Sequence, residues 1–132
     1  PEFIPGLLQA IENNDIVTAS RYLYPARSAD DDWLTGIGNW GFTKLFNLLF
    51  NSKITDVLGM YRCYRREVFQ LVKPEEVSNY WGTQLLARAT KLKLSISEIP
   101  GDEPKRIGGK RKMRPLVNGF GELTTMIKEF VR

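Results

Sequence analysis

Segments with helical spacing alternate with short apolar segments along this chain, and that alternation limits the fold more than any other feature. Ile4, Leu7, Leu8 and Ile11 follow helical spacing, and 16–19 is then typical of a short buried strand. A helix followed at once by a strand indicates the second half of a unit whose first strand is missing; the alternative is a complete domain that starts with a helix. Strands that alternate with helices predict an α/β sheet.

The remaining elements continue the alternation. They are a polar loop over 22–31, a helix from a cap at Asp32 to about Asn51, a strand near 54–64, a short helix over 65–72, a helix over 81–92, a strand over 94–99 and a closing helix. The predicted core side chains of the second and last helices are Phe42, Leu45, Phe46 and Leu49, and Leu123, Met126, Ile127 and Phe130.

Composition excludes several kinds of site. The 132 residues include no histidine, which removes the commonest general base and the commonest zinc ligand. The single cysteine, Cys63, has no internal disulfide partner, so a reducing compartment is the simpler interpretation and a cytoplasmic location is expected. No run approaches the roughly 18 apolar residues of a spanning helix. The net charge is +4, and six of the ten residues over 105–114 are cationic.

The segment over 56–68 does not follow a packing pattern. Asp56, Gly59 and Arg62 are spaced three residues apart, and further basic residues follow. Strand alternation places Arg62 beside Met60 and Tyr64, on the face opposite Cys63. Asp56 has three interpretations: a general base for a hydroxyl acceptor, an orienting partner for Arg62 or a metal, or a turn cap. For Arg62 the structural alternative is an ion pair with an acid such as Glu67 or Glu98.

Several motifs occur together in a recognisable order. They are Ser20-Arg21-Tyr22, the helix from Gly38-Asn39 to Phe50, Ile54-Thr55-Asp56, the run 56–68, Glu98-Ile99-Pro100 and the basic loop 106–112. In this order the chain resembles the C-terminal half of the catalytic domain of a family-2 glycosyltransferase, near the dolichyl-phosphate-mannose synthases and polyprenyl-phosphate glycosyltransferases. Arg111 stands where that family usually has serine, and Gln84 where a glutamate is common.

The resemblance covers all of 1–132 and implies a GT-A type, three-layer α/β/α domain whose donor-binding N-terminal half is absent. It implies transfer of a sugar from a nucleotide-sugar donor to a polyprenyl or dolichyl phosphate or a glycan, with peripheral contact to the cytoplasmic membrane face. A divalent metal, Mg²⁺ or Mn²⁺, is expected mainly on the missing half, with no metal ligand in 1–132. The chain alone is expected to be inactive.

The chemistry of such a transfer assigns roles to individual residues. A departing diphosphate and an acceptor phosphate both need cationic partners, and arginine offers two charge-assisted hydrogen bonds. Arg21, Arg62, Arg106 and Lys112 are therefore the expected phosphate contacts, and Asp56 is the expected catalytic residue. A phosphate acceptor is already ionised and needs no base, so orientation would then be the role of Asp56; a sugar hydroxyl would need the base.

Other functions remain open at this stage. The basic stretch over 105–114 could be an anion- or nucleic-acid-binding module, although it lacks interleaved aromatic residues and no known nucleic-acid-binding signature accompanies it. The acids 30–32 could ligate a hard cation, but a solvated loop and helix cap is favoured. Trp33, Trp40, Phe42 and Phe46 could face a partner protein or a membrane surface. Because aromatic residues at helical spacing usually pack inside, the core is the first expectation for these four side chains.

Overall fold

The computed structural model describes residues 2–30, 32–75, 80–105, 107–108 and 114–132. Among these residues, the elements in chain order are α1 (Ile4–Ala10), β1 (Ile16–Ser20), α2 (Trp33–Phe50), β2 (Arg62–Tyr64), α3 (Arg66–Val72), α4 (Trp81–Lys91), β3 (Ile96–Pro100) and α5 (Pro115–Val131), with a short 3-10 turn (Ile11–Asn13) after α1.

The three strands form one mixed sheet in the order β2-β1-β3. β1 runs antiparallel to β2, with Thr18 opposite Arg62, and parallel to β3, with Ser20 opposite Pro100. All five residues of β1 are buried, as expected of a central strand. The α/β class predicted from the alternating segments is therefore confirmed, as a small mixed sheet with five helices.

Local sequence signals explain the long helix α2. Asp32 accepts a hydrogen bond from the Thr35 amide at 2.7 Å, which satisfies one of the free N–H groups of the first turn. Gly36, Gly38 and Gly41 lie inside the helix without interrupting it. The helix ends where Asn51 adopts a left-handed conformation with φ 50°. The predicted cap and both predicted ends are confirmed.

Two apolar clusters pack on the sheet and hold its strand ends in place. The larger cluster includes Ile16, Phe46, Leu85 and Met126, and it joins the sheet to α2, α4 and α5. The smaller cluster is Leu7, Val17 and Ala19, with partly buried neighbours from α1, β2 and β3. Burying a side chain the size of leucine or phenylalanine contributes about 1.5–3 kcal/mol. These clusters fix the positions from which the polar residues at the strand ends project.

The predicted strand near 54–64 is wrong over most of its length. Only Arg62–Tyr64 is β-strand, and the preceding residues form turns. Their backbone N–H groups are bound by side chains and not by a neighbouring strand: Thr55 and Asp56 donate to Glu98, and Val57 donates to Thr43. Side-chain acceptors that bind the backbone in this way compete with a strand ladder.

Two of the predicted core faces also need correction. On α2, Phe46 is buried and Phe42, Leu45 and Leu49 pack partly buried against the core, as predicted, but Trp33 and Trp40 lie off that face and are 77% and 63% exposed. On α5, Met126 is buried, but Ile127 and Phe130 are about half exposed. Glu129 takes the inward position instead, because Arg88 and Gln84 bind its carboxylate.

Candidate functional site

Arg21 and Asp56 form a two-pronged ion pair at the end of the central strand. Arg21 follows the last residue of β1, and Asp56 lies in the turn before β2. The Arg21 Nε donates to Asp56 Oδ2 at 2.8 Å, and Nη2 donates to Oδ1 at 3.0 Å. The Arg21 backbone N–H also donates to Oδ2, at 3.2 Å. Both oxygens of the fully buried Asp56 carboxylate are thus committed to one residue.

A second acid completes the surroundings of Arg21. The Arg21 Nη1 donates to Glu103 Oε2 at 3.1 Å, and the Ser28 hydroxyl donates to the same oxygen at 2.6 Å. Burial by itself lowers the pKa of Arg21, but the hydrogen bonds and charges of Asp56 and Glu103 outweigh it and raise this pKa. The guanidinium is therefore held charged, in a fixed orientation, at the carboxyl end of β1.

Glu98, a residue of β3, holds the turn that contains Asp56. Glu98 accepts from the Thr55 N–H at 2.8 Å, from the Thr55 hydroxyl at 2.9 Å and from the Asp56 N–H at 3.2 Å. Burial nevertheless raises the pKa of Glu98 above its ordinary value, against the effect of these bonds. The Thr55 hydroxyl also contacts the hydroxyl of Ser20. These contacts link the ends of β1 and β3 to the Asp56 turn.

Gly59 explains the three-residue spacing that marked this segment. A Cβ at position 59 would lie 3.1 Å from Asp56 Oδ2 and 3.3 Å from the Ala19 carbonyl oxygen. Any side chain there would press on the carboxylate that binds Arg21. The glycine allows the turn to pass close to the end of β1.

Arg62 stands apart from this pair. Its Nη2 donates to the Val57 carbonyl oxygen at 2.6 Å, and no ion pair joins it to Glu67 or Glu98 in the part of the chain that the structure describes. Arg62 and Tyr64 lie on one face of β2 and Cys63 packs on the other, as strand alternation predicts. The structure therefore brings Arg21 and Asp56 together. Arg62 is not part of this pair, and it binds the backbone of Val57, the residue after Asp56. Arg106 and Lys112 lie outside the described residues.

Two acids of this arrangement were not assigned to it from the sequence. Glu98 was recognised only as part of a motif and as an alternative partner for Arg62, and Glu103 was not singled out. Glu103 reaches Arg21 through a β-bridge with Ser28, which pairs residues far apart in the chain. The residue spacing around Glu103 or Arg21 does not predict such a contact.

The described residues hold no group of three or more Asp, Glu, Cys or His side chains that could bind a metal ion. Nor does any helix among the described residues have the length and apolar character needed to cross a membrane.

Comparisons with known proteins give a family resemblance at low identity. The chain is 30% identical over 94 residues, or 69% of its length, to the glycosyltransferase AglD of Haloferax volcanii. It is 25% identical over 116 residues, or 86% of its length, to the undecaprenyl-phosphate mannosyltransferase of Micrococcus luteus. No protein-family model matches the chain.

The chain spans 15% of the first relative and 48% of the second. Its similarity is thus to a part of each glycosyltransferase. That similarity agrees with the glycosyltransferase resemblance of the motifs.

Proposed function

We propose that the whole protein is a glycosyltransferase that moves a sugar from a nucleotide-sugar donor to a polyprenyl phosphate or glycan acceptor. The observation that carries the proposal is the Arg21–Asp56 pair, a guanidinium held rigidly at the end of the central strand. The two relatives support it, one named a glycosyltransferase and the other an undecaprenyl-phosphate mannosyltransferase. In this proposal 1–132 is the C-terminal part of a GT-A type family-2 domain, inactive by itself.

Arg21 and Asp56 have distinct roles in the proposed reaction. Arg21 contacts a phosphate group of the donor or acceptor and stabilises the charge that develops as the diphosphate departs. Asp56 acts as its positioning partner, because both carboxylate oxygens already accept from Arg21. A phosphate acceptor is ionised near neutral pH and needs no general base, which agrees with this assignment.

The remaining phosphate contacts of the proposal lie in the basic stretch before α5. Arg106 and Lys112 are proposed to close over the phosphates, with the glycines of that stretch allowing the close approach of backbone N–H groups. The divalent metal of the proposal is bound by residues outside this chain and helps to neutralise the departing diphosphate.

The exposed side of α2 and α5 supports a lipid-linked acceptor. The two helices run side by side in the same direction, since Phe42 lies against Gly119 and the rings of Phe50 and Phe130 are 6.3 Å apart. Six exposed apolar side chains near their N-terminal ends are named here the α2–α5 face: Trp33, Ile37, Trp40, Leu116, Val117 and Phe120.

Charge on these helices favours an anionic membrane surface over a neutral one. Within its helical residues α2 has one lysine, Lys44, which is exposed, and no acid, and the exposed cap residue Asp32 precedes it. Both acids of α5, Glu122 and Glu129, point inward, whereas Arg114 and Lys128 are exposed. Tryptophan with aliphatic residues and flanking cations is the composition of surfaces that lie in the lipid interface. We therefore propose peripheral contact at the cytoplasmic membrane face, where a lipid phosphate would be presented.

The test measures sugar transfer by the whole protein to a polyprenyl phosphate. Arg21→Lys should lower kcat about 30- to 1,000-fold, because lysine keeps the charge but loses the two-pronged geometry that positions it. Arg27→Lys, at an exposed arginine of the neighbouring loop, is the control and should retain activity. No transfer by the unaltered protein to any polyprenyl phosphate or glycan would contradict the function, and near-normal turnover of Arg21→Lys would contradict the site.

A further inference from the structure

A small void lies between β2, the first turn of α4 and α5. Its volume is about 20 Å³, which is room for one water molecule and for no larger group. Val57 and Leu58, which directly follow Asp56, form part of its wall. The polar residues around it are Arg62, Tyr64, Thr83 and Glu122.

Three polar atoms of these side chains are buried without a hydrogen-bond partner among the described residues: Arg62 Nε, the Tyr64 hydroxyl and Glu122 Oε2. Buried polar groups are nearly always paired with protein atoms or with ordered water, and a buried water typically makes about three such bonds. The Arg62 Nε–H donates, Glu122 Oε2 accepts and the Tyr64 hydroxyl can do either. One water can therefore satisfy all three atoms, and the volume of the void fits one water.

The charges around the void also complement each other. Burial raises the pKa of Glu122, whereas a hydrogen bond from Thr83 and the positive charge of Arg62 oppose that rise. Arg62 and Glu122 thus attract each other across the void, and a water between them would transmit that attraction through two charge-assisted hydrogen bonds.

The rest of the Arg62 guanidinium is fixed by the Asp56 turn and by α4. Its Nη2 donates to the Val57 carbonyl oxygen at 2.6 Å. Its Nη1 packs against Gly82, where a Cβ would lie 2.5 Å away. Because Val57 follows Asp56, the orientation of Arg62 bears on the turn whose carboxylate binds Arg21.

We propose that one buried water joins Arg62 to Glu122 and Tyr64, and that Glu122 is thereby a positioning residue for the Arg21–Asp56 pair. The inference rests on the proposed function, in which Arg21 contacts a phosphate group. Glu122 acts through the water, Arg62 and the Val57 carbonyl. Arg62 then supports the Asp56 turn, which differs from the phosphate contact expected from the sequence.

The first test measures kcat of the whole protein for sugar transfer to a polyprenyl phosphate. Glu122→Met removes the acceptor for the water and keeps the length of the side chain, and it should lower kcat about tenfold through misplacement of Arg21. Glu122→Gln keeps a neutral acceptor for the water, so kcat should stay within about threefold of the unaltered value. In an Arg62→Met background, Glu122→Met should cause no further loss, because Glu122 acts only through Arg62.

Two further variants separate positioning from a general loss of stability. Glu129→Gln alters a buried acid of the same helix that Arg88 binds, away from the void. It should lower the midpoint of thermal unfolding and leave kcat unchanged. Gly82→Ala displaces the Arg62 guanidinium and leaves Glu122 intact, so it should lower kcat about as much as Glu122→Met. It keeps the proposal testable if Glu122→Met does not fold.

The second test is a crystal structure of the whole protein, which needs no turnover. One water within about 3.2 Å of Arg62 Nε, the Tyr64 hydroxyl and Glu122 Oε2 supports the proposal, as does an Asp56 turn that shifts in Glu122→Met. An empty void, or a direct contact between Arg62 and Glu122 in its place, overturns the water bridge.

Near-normal kcat in both Glu122→Met and Gly82→Ala overturns the positioning role, and so does an equal loss from Glu122→Met with and without Arg62. An unaltered protein that transfers no sugar contradicts the proposed function alone. The crystal structures of the unaltered protein and of Glu122→Met then still decide the water and the position of the turn.

Discussion

Arginine suits position 21 for reasons that lysine cannot meet. The planar guanidinium binds both oxygens of Asp56 through Nε and Nη2, while Nη1 reaches Glu103. A lysine ammonium is a point charge on a flexible stem and could not hold this geometry. The pair is also buried on the Asp56 side, where a lone carboxylate would be costly. Residue 21 is therefore a structural requirement of this buried pair.

Removing one partner of this pair should destabilise the fold strongly. Asp56→Ala leaves the charge of Arg21 without its main partner, and we expect a loss of about 3–5 kcal/mol in the free energy of unfolding. The double variant Arg21→Met with Asp56→Leu should recover most of that loss, because no buried charge is left unpaired; Glu103, which loses Arg21, is partly exposed and keeps its hydrogen bond from Ser28. Urea unfolding measures both, with Glu67→Ala as the exposed control. A double variant as unstable as Asp56→Ala would show that the loss has another origin.

The sequence predicted which residues have specific contacts more reliably than it predicted the partners of those contacts. Asp56, Gly59 and Arg62 departed from any packing pattern, and the structure gives each a defined contact. The partner of Asp56 is Arg21, 35 residues earlier, and not the nearby Arg62. Partner choice depends on how β1 and the Asp56 turn come together in space, and local spacing carries no information about that distance.

At the scale of elements, helical periodicity predicted where the helices lie more accurately than it predicted which side chains of each helix are buried. Periodicity counts apolar residues, so it assigned Phe130 to the core of α5 and overlooked Glu129. The Glu129 carboxylate is buried because Arg88 Nε donates to it at 2.9 Å and Gln84 Nε2 at 2.8 Å. Burial raises the pKa of Glu129, but these partners outweigh it and lower the pKa overall. Gln84 can donate this bond, whereas a glutamate there would repel Glu129.

The α2–α5 face makes a prediction that belongs to these two elements. We expect the chain to bind vesicles of phosphatidylcholine with phosphatidylglycerol, and to bind more weakly as salt rises or when the anionic lipid is omitted. Trp40→Ala and Phe120→Ala should each weaken partitioning about tenfold, through lost apolar burial. Co-sedimentation measures the bound fraction.

Leu71→Ala provides the matched control, since Leu71 is exposed on α3 and lies outside the face. It should leave vesicle binding unchanged. Equal losses for Leu71→Ala and Trp40→Ala would mean that general surface hydrophobicity, and not this face, drives the binding. If the chain does not bind vesicles and instead forms dimers that Trp40→Ala disrupts, the α2–α5 face is a contact between two copies of the chain.

At the scale of the whole molecule, the sheet is small for the helices that cover it. β1 is paired on both sides, but the outer edges of β2 and β3 have no strand partner among the residues that the structure describes. Unpaired strand edges present free N–H and C=O groups that can pair with another chain. The sequence prediction that a preceding strand is missing stays a prediction, and these two edges are where such strands would add.

This arrangement predicts how the isolated chain should behave. Residues 1–132 expressed alone should associate as concentration rises, because open edges and the exposed α2–α5 face both favour self-contact. Co-expression with the residues that precede them in the whole protein should suppress association and raise the midpoint of thermal unfolding, since added strands would cover an edge. Light scattering across a dilution series measures the first effect, and calorimetry the second.

Substituting Lys for Trp40 separates the two causes of association, because it disrupts the α2–α5 face and leaves the strand edges intact. A 132-residue chain that stays monomeric and unfolds cooperatively, with a midpoint that its upstream residues do not change, would contradict the prediction that it is part of a larger domain.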